Sequence, residues 1–201
     1  MSPKFVDKKA KKNIILKSSM KIFAQKGIAN TKMSDIAVES NIGKGTIYEY
    51  FKNKEEIFKE SFNYFREELE GTIARQIFKL TDPEEKLRSL IISFADVVDN
   101  QTFDFIEIIF DFWAEGIRHH DENKIFDLKE MYVEYRNLII SILEEGIKKG
   151  IFKDMDTTIT ASILLGSIDG LTLQWIMDKN LFSLKKATEV LVDSVIRGIK
   201  K

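Results

Sequence analysis

Apolar residues recur along this 201-residue chain three and four positions apart, the spacing of helices packed on one side. Residues 7–26 turn Ile14, Ile15, Ser18, Ile22 and Phe23 inward, and Gly27 supplies a C-terminal stop. Two short stripes follow: Met33, Ile36 and Ala37, then Ile47 and Phe51, with Ile42 between them. Asn41-Ile42-Gly43 breaks the pattern where the chain must turn, since Asn and Gly tolerate a left-handed backbone. A long helix opens at Asn53, whose side chain can cap it while Glu56 reaches back. It runs to about residue 80, with Ile57, Phe58, Phe62, Phe65, Leu69 and Ile73 along one side. Thr81-Asp82-Pro83 marks the next start, Asp as cap and Pro in the first turn, leading into Leu87, Leu90, Ile91, Phe94 and Val98. Residues 102–118 are rich in aromatics, and residues 122–149 end in Lys148, Lys149 and Gly150, as helix C-termini do. Segments 156–177 and 183–200 complete a set of about nine helices. No strand-like alternation, repeat or low-complexity tract interrupts them, so the expected fold class is all-α.

Residues 157–177 are apolar nearly all round and must be covered on two sides. Ile159, Ile163, Gly166, Gly170 and Leu173 fall on one stripe, and Leu164, Ile168, Leu171 and Trp175 on another. Such a helix can be the central core of a monomer, and its two glycines four apart would allow another helix to approach closely.

Composition narrows the class. With 44% hydrophobic and 31% charged residues, two prolines and no apolar run near the ~20 residues of a membrane span, the chain suits a cytoplasmic helical protein with no membrane partner. The basic N-terminus leads into no signal-peptide core. The absence of cysteine excludes disulfides, thiolate catalysis and Cys-ligated metal. The net charge of −1 hides a division. Residues 1–54 hold twelve lysines against four acids, a formal +8, while the remainder holds 19 bases against 28 acids, a formal −9. A basic head on an acidic body fits a polyanion-binding module joined to a second domain.

The head also carries a motif. Residues 33–51 read as two short helices joined by a tight turn, and the second leaves Lys44, Thr46, Tyr48 and Tyr50 off its core stripe. One cation and three hydroxyls on a second helix are the equipment of a helix-turn-helix that enters the DNA major groove. Thr31, Asp35-Ile36-Ala37, Gly45-Thr46-Ile47-Tyr48, Tyr50-Phe51, Lys54-Glu55 and Ile57 resemble the DNA-binding signature of the TetR family of transcriptional repressors. The chain departs from that pattern at Ser40, Asn41 and Gly43; Gly43 removes a capping hydroxyl from the second helix.

The resemblance implies a three-helix DNA-binding domain over residues 1–54 and a ligand-binding and dimerisation domain over residues 55–201. It implies a ligand-responsive regulator, a repressor in sign, that binds a palindromic operator in double-stranded DNA as a homodimer. A small, hydrophobic effector would release it. The family's DNA-contacting positions fall here on Thr31, Lys44, Gly45, Thr46, Tyr48, Tyr50 and Lys54. Its last two helices pair in a four-helix bundle, which places Ile163, Gly166, Gly170 and Leu191 at the dimer interface. The large side chains of the body, Phe62, Phe65, Phe94, Phe105, Trp113, Tyr132 and Trp175, are the candidate effector pocket, with ordinary core packing as the competing reading. The alternative function is a constitutive DNA-binding protein without an effector.

Enzyme chemistry has little to stand on. No P-loop, GxSxG, HExxH or GxGxxG pattern is present, and no cofactor, metal or catalytic residue is expected. His119 and His120 are adjacent and point apart on a helix, so they chelate poorly. Glu107, Asp111, Glu115 and His119 share one helix face, as its solvated side, as a site for a hard metal or as a catalytic carboxylate pair.

Overall fold

A computed structural model describes residues 8–99, 113–114 and 128–201, with the backbone alone at Val97 and Asp99. The described residues form eight helices and no strand, and they divide into two compact units. Residues 8–67 lie in the first; residues 68–99 and 128–201 form the second. The expected aromatic helix at 102–118 lies outside the described residues, except for helical Trp113 and Ala114. The Glu107/Asp111/Glu115/His119 face and the His119-His120 pair lie outside them too.

In the first unit, α1 (Lys8–Asn30), α2 (Met33–Ser40) and α3 (Lys44–Tyr48) precede the start of α4 (Lys54–Ile77). Helix α1 is broken at Gly27, whose φ of 71° only glycine adopts cheaply. Its buried residues are Ile15, Leu16, Ser19, Met20, Ile22 and Phe23. The expected inward positions Ile14 and Ser18 are instead partly exposed. The reason is that α1 packs on α2 and, through Phe23 edge-on to Phe58 at 5.4 Å, on α4. Two neighbours bury a wider arc than the one-sided stripe assumed from the sequence. Asn53 caps α4 by accepting the Glu56 N–H at 2.8 Å, while the Glu56 carboxylate accepts from the Lys52 N–H at 2.6 Å, one residue before the expected donor.

In the second unit the tail of α4 is followed by α5 (Pro83–Asp99), α6 (Leu128–Lys148), α7 (Thr157–Met177) and α8 (Leu184–Ile199). Helix α5 packs against α6 and α8, and α7 packs between α6 and α8. Asp82 caps α5, Asp156 caps α7 and Ser183 caps α8, each side-chain oxygen accepting a backbone N–H three residues on. After α6 the chain reverses through Gly150 at φ 72° and drops Phe152 into the interior. A Cβ on Gly146 would overlap the Phe152 ring, so glycine is what lets that ring reach the α6 backbone. Phe152 also bridges Lys200, which pins the end of α8.

Helix α7 buries Ala161, Leu164, Ile168, Thr172 and Trp175. The second stripe stays outside: Ile159 and Ile163 are both 58% exposed, Leu173 is exposed, and nothing lies within 4 Å of a Cβ built on Gly166 or Gly170. Contrary to the expectation that no apolar run approaches membrane length, α7 is one described helix long and apolar enough to cross a membrane by length and composition. Its Ile, Leu, Ala and Gly content with the single charge of Asp169 accounts for that.

Candidate nucleic-acid interface and effector body

The reading head is built from a turn and one short helix. Asn41 ends α2 in the left-handed conformation, φ 53° and ψ 36°, and the N–H of Ile42 returns to the Ala37 carbonyl at 3.1 Å. Helix α2 is fixed at its other end by Asp35, whose carboxylate accepts the Lys32 N–H at 3.0 Å and lies 3.4 Å from the Lys26 ammonium. The Lys32 N–H, and less strongly that ammonium, hold the Asp35 carboxyl below the usual carboxylate range. On α3 a single residue, Ile47, is buried; Phe51 is buried just beyond. Those two anchors turn Lys44, Gly45 and Tyr48 outward, Tyr48 being 49% exposed, with Thr46 and Tyr50 half-buried. Gly43 precedes α3 without a side-chain cap, as expected from the missing hydroxyl.

Two residues of the expected DNA-contacting set sit differently. Thr31 is buried and its hydroxyl donates to the Gly27 carbonyl at 2.8 Å. Lys54 donates to the carbonyls of Ile28, Ala29 and Thr31.

The residues expected to line a pocket divide between the units. Phe62 and Phe65 are buried in the first, where half-buried Trp113 also belongs, and Phe105 lies outside the described residues. Phe94, Tyr132 and Trp175 belong to the second. There the structure adds what the sequence reading missed: the Tyr132 hydroxyl donates to the Asp169 carboxylate at 2.7 Å. Burial pushes the Asp169 carboxyl up; burial, then the hydrogen bond to Asp169, pushes the Tyr132 phenol up. One turn further along α7, the Thr172 hydroxyl is buried with no hydrogen-bond partner. A lone acid in an otherwise apolar helix was the signal available in the sequence, since a buried carboxylate needs a partner. No cluster of three or more metal-ligating side chains occurs among the described residues.

Of the expected interface residues, Ile163 and Gly166 are exposed, while Gly170 and Leu191 are half-buried. Val190, 52% exposed on α8, and Met177, 78% exposed on α7, extend the apolar surface beyond them.

Comparison with known proteins agrees with this architecture. The family described as bacterial regulatory proteins, tetR family, matches residues 15–61, and the BetI-type transcriptional repressor C-terminal family matches residues 83–199. The chain belongs to the TetR family of transcriptional regulators, with an N-terminal helix-turn-helix DNA-binding domain and a C-terminal helical domain. It is 27% identical over 192 residues to the fatty acid metabolism regulator protein of Bacillus subtilis, covering 92% of this chain and 93% of that one. Among solved structures, a putative transcriptional regulator from Saccharomonospora viridis in complex with choline superposes with a TM-score of 0.85 at 24% identity, covering 96% of this chain and 100% of that one. The regulator FadR from Bacillus subtilis in complex with stearoyl-CoA gives 0.76 at 24% identity, covering 93% and 98%.

Proposed function

We propose that this chain is a ligand-responsive repressor that binds a palindromic operator as a homodimer and is released by a small apolar effector carrying one polar group. The observation that carries the DNA half is α3: five residues long, held by Ile47, with Lys44 and Tyr48 facing out from a turn fixed by Asn41. Lys44 reaches a guanine edge or a phosphate, Thr46 a base or phosphate, and Tyr48 and Tyr50 offer hydroxyls to the DNA backbone. Gly45 leaves room for the sugar-phosphate chain beside them. Residues 1–54 supply the positive field that drives counterion release, and residues 55–201 serve sensing and assembly. Action on chromosomal DNA supports a cytoplasmic location for the protein.

Assembly uses the stripe of Ile159, Ile163, Gly166 and Gly170 on α7, with Val190 and Leu191 on α8. Pairing it with a second copy removes from water the apolar side chains that one protomer leaves exposed. Two-fold symmetry then demands operator half-sites about one helical turn, or a multiple of it, apart.

For the effector, Phe94, Tyr132 and Trp175 supply apolar contact in the second unit, and Tyr132, Asp169 and Thr172 supply polar partners. A relative named for fatty acid metabolism, together with a fold neighbour holding stearoyl-CoA, favours an acyl thioester. A second reading, a small cation, is favoured by the Asp169 carboxylate and by the neighbour that holds choline. Helix α4 contributes residues to both units, so it is one covalent route from body to head. The effector acts only if its affinity differs between the DNA-binding and released states.

The deciding experiment is a melting-shift screen of long-chain acyl-CoA and choline, followed by operator release. A bound effector stabilises by about 2.7 kcal/mol at a hundred times its dissociation constant. Stabilisation and release by acyl-CoA support the first reading, and by choline the second. Operator binding that no effector relieves would leave a constitutive DNA-binding protein.

A further inference from the structure

Lys54 opens α4, and its ammonium is fully committed. It donates to the Ile28 carbonyl at 2.7 Å, the Ala29 carbonyl at 2.9 Å and the Thr31 carbonyl at 3.0 Å. An ammonium has three N–H groups and no acceptor, so these bonds exhaust it.

The carbonyls belong to the junction between α1 and α2, where Gly27 breaks the helical backbone. A helix end leaves its last carbonyls without intrahelical donors, and its dipole favours a cation there. Lys54 meets both needs from another helix. The junction is closed from within by Thr31, whose hydroxyl donates to Gly27, and by Asn30, whose amide donates to the Lys26 carbonyl at 3.0 Å. Other lysines of this unit are paired differently: Lys12 with Glu60 and Lys26 with Asp35, each through a carboxylate. Helix α2 begins two residues after Thr31, so a hold on residues 28–31 is a hold on the orientation of α2 and of the α3 that follows it.

We infer that Lys54 is a positioning residue of the DNA-reading head. It ties the first turn of α4 to the α1–α2 junction, so that α2 and α3 are presented at a fixed angle to α4. A displacement at the start of α4 is thereby passed to the reading helix. Its side chain acts on operator affinity through the geometry of α3 and not through a phosphate. This rests on the proposed operator binding.

A phosphate ligand and a positioning residue differ in salt dependence. Losing one phosphate contact lowers the slope of log affinity against log salt by about 0.9, whereas losing orientation leaves the slope unchanged. The test is Lys54→Met, which keeps most of the apolar stem and removes the donors. Operator affinity should fall by about tenfold at every salt concentration, with the wild-type slope retained. Amide hydrogen exchange at residues 28–34 of the free protein should quicken. A slope reduced by about one, with exchange unchanged, would overturn the inference.

If circular dichroism shows the variant unfolded, the wild type decides by lysine acetylation read by mass spectrometry. Lys54 should react slowly both free and operator-bound, while exposed Lys44 reacts fast when free and is shielded on DNA. A Lys54 that is fast when free and shielded on DNA would again overturn the inference. Absence of operator binding in the wild type would sink the functional proposal instead, leaving the free-protein measurements to judge the tie itself.

Discussion

Asn41 holds the turn of the reading head at φ 53°, a conformation that costs a β-branched residue roughly 1–2 kcal/mol and Asn much less. Asn41→Val should therefore lower stability by about that amount, while Asn41→Gly should move it only by tenths, as chemical denaturation would show. At the reading surface, Lys44→Ala and Tyr48→Phe should each weaken operator binding by roughly 1–3 kcal/mol with melting temperature unchanged, because both side chains face solvent. In the body, Gly146→Ala forces a Cβ into the Phe152 ring and should cost about 1–3 kcal/mol by overpacking, read as a lower melting temperature. Asp169 gives a pH dependence. Its carboxyl pKa is raised by burial, so the folded chain holds that proton more tightly than the unfolded one. The resulting stabilisation is complete below the unfolded pKa, about 3.9, and fades as pH rises through the folded value. Asp169→Asn keeps an acceptor for Tyr132 and removes the charge. It should raise the melting temperature at pH 7, with the gain vanishing towards about pH 3.

At the scale of elements, α7 presents the sharpest test. Gly166 is exposed and nothing lies within 4 Å of a Cβ built on it, so Gly166→Leu starts its side chain into open space in one protomer. It should leave helicity intact and weaken only the pairing of copies, which light scattering across a dilution series would detect. A wild type that stays monomeric at micromolar concentration would remove the interface altogether. Helix existence and the helix starts were legible in the sequence because they are local: Asn53, Asp82, Asp156 and Ser183 each cap within three residues. The two stripes of α7 were legible for the same reason, through its 3.6-residue period, but not that one of them stays exposed in a protomer. The burial of Leu16, Ser19 and Met20 was not, since it depends on α1 having two neighbours. Nor were the partners of Lys54 and of Asp169, which lie 23–26 and 37 residues away and are chosen by tertiary packing.

For the whole molecule, charge and burial assign the work. A formal +8 over residues 1–54 gives association with DNA its field, and the acidic remainder does not compete for phosphate. Within the second unit, Arg88 pairs with Asp193, Lys185 with Asp96 at 2.7 Å and Lys200 with Glu84 at 2.7 Å, stitching α5 to α8 and its end. Each exposed pair contributes roughly 0–1 kcal/mol, so the buried apolar side chains of α5, α6, α7 and α8 hold that unit together. Operator reading by α3, as proposed, is the step on which sensing and assembly depend. Fluorescence anisotropy of a selected operator duplex, titrated with wild type, Lys44→Ala and Tyr48→Phe at several salt concentrations, tests it most directly. Both variants should bind roughly 5- to 160-fold more weakly than the wild type, whose affinity should fall steeply with salt. Unchanged affinity in both variants would contradict it.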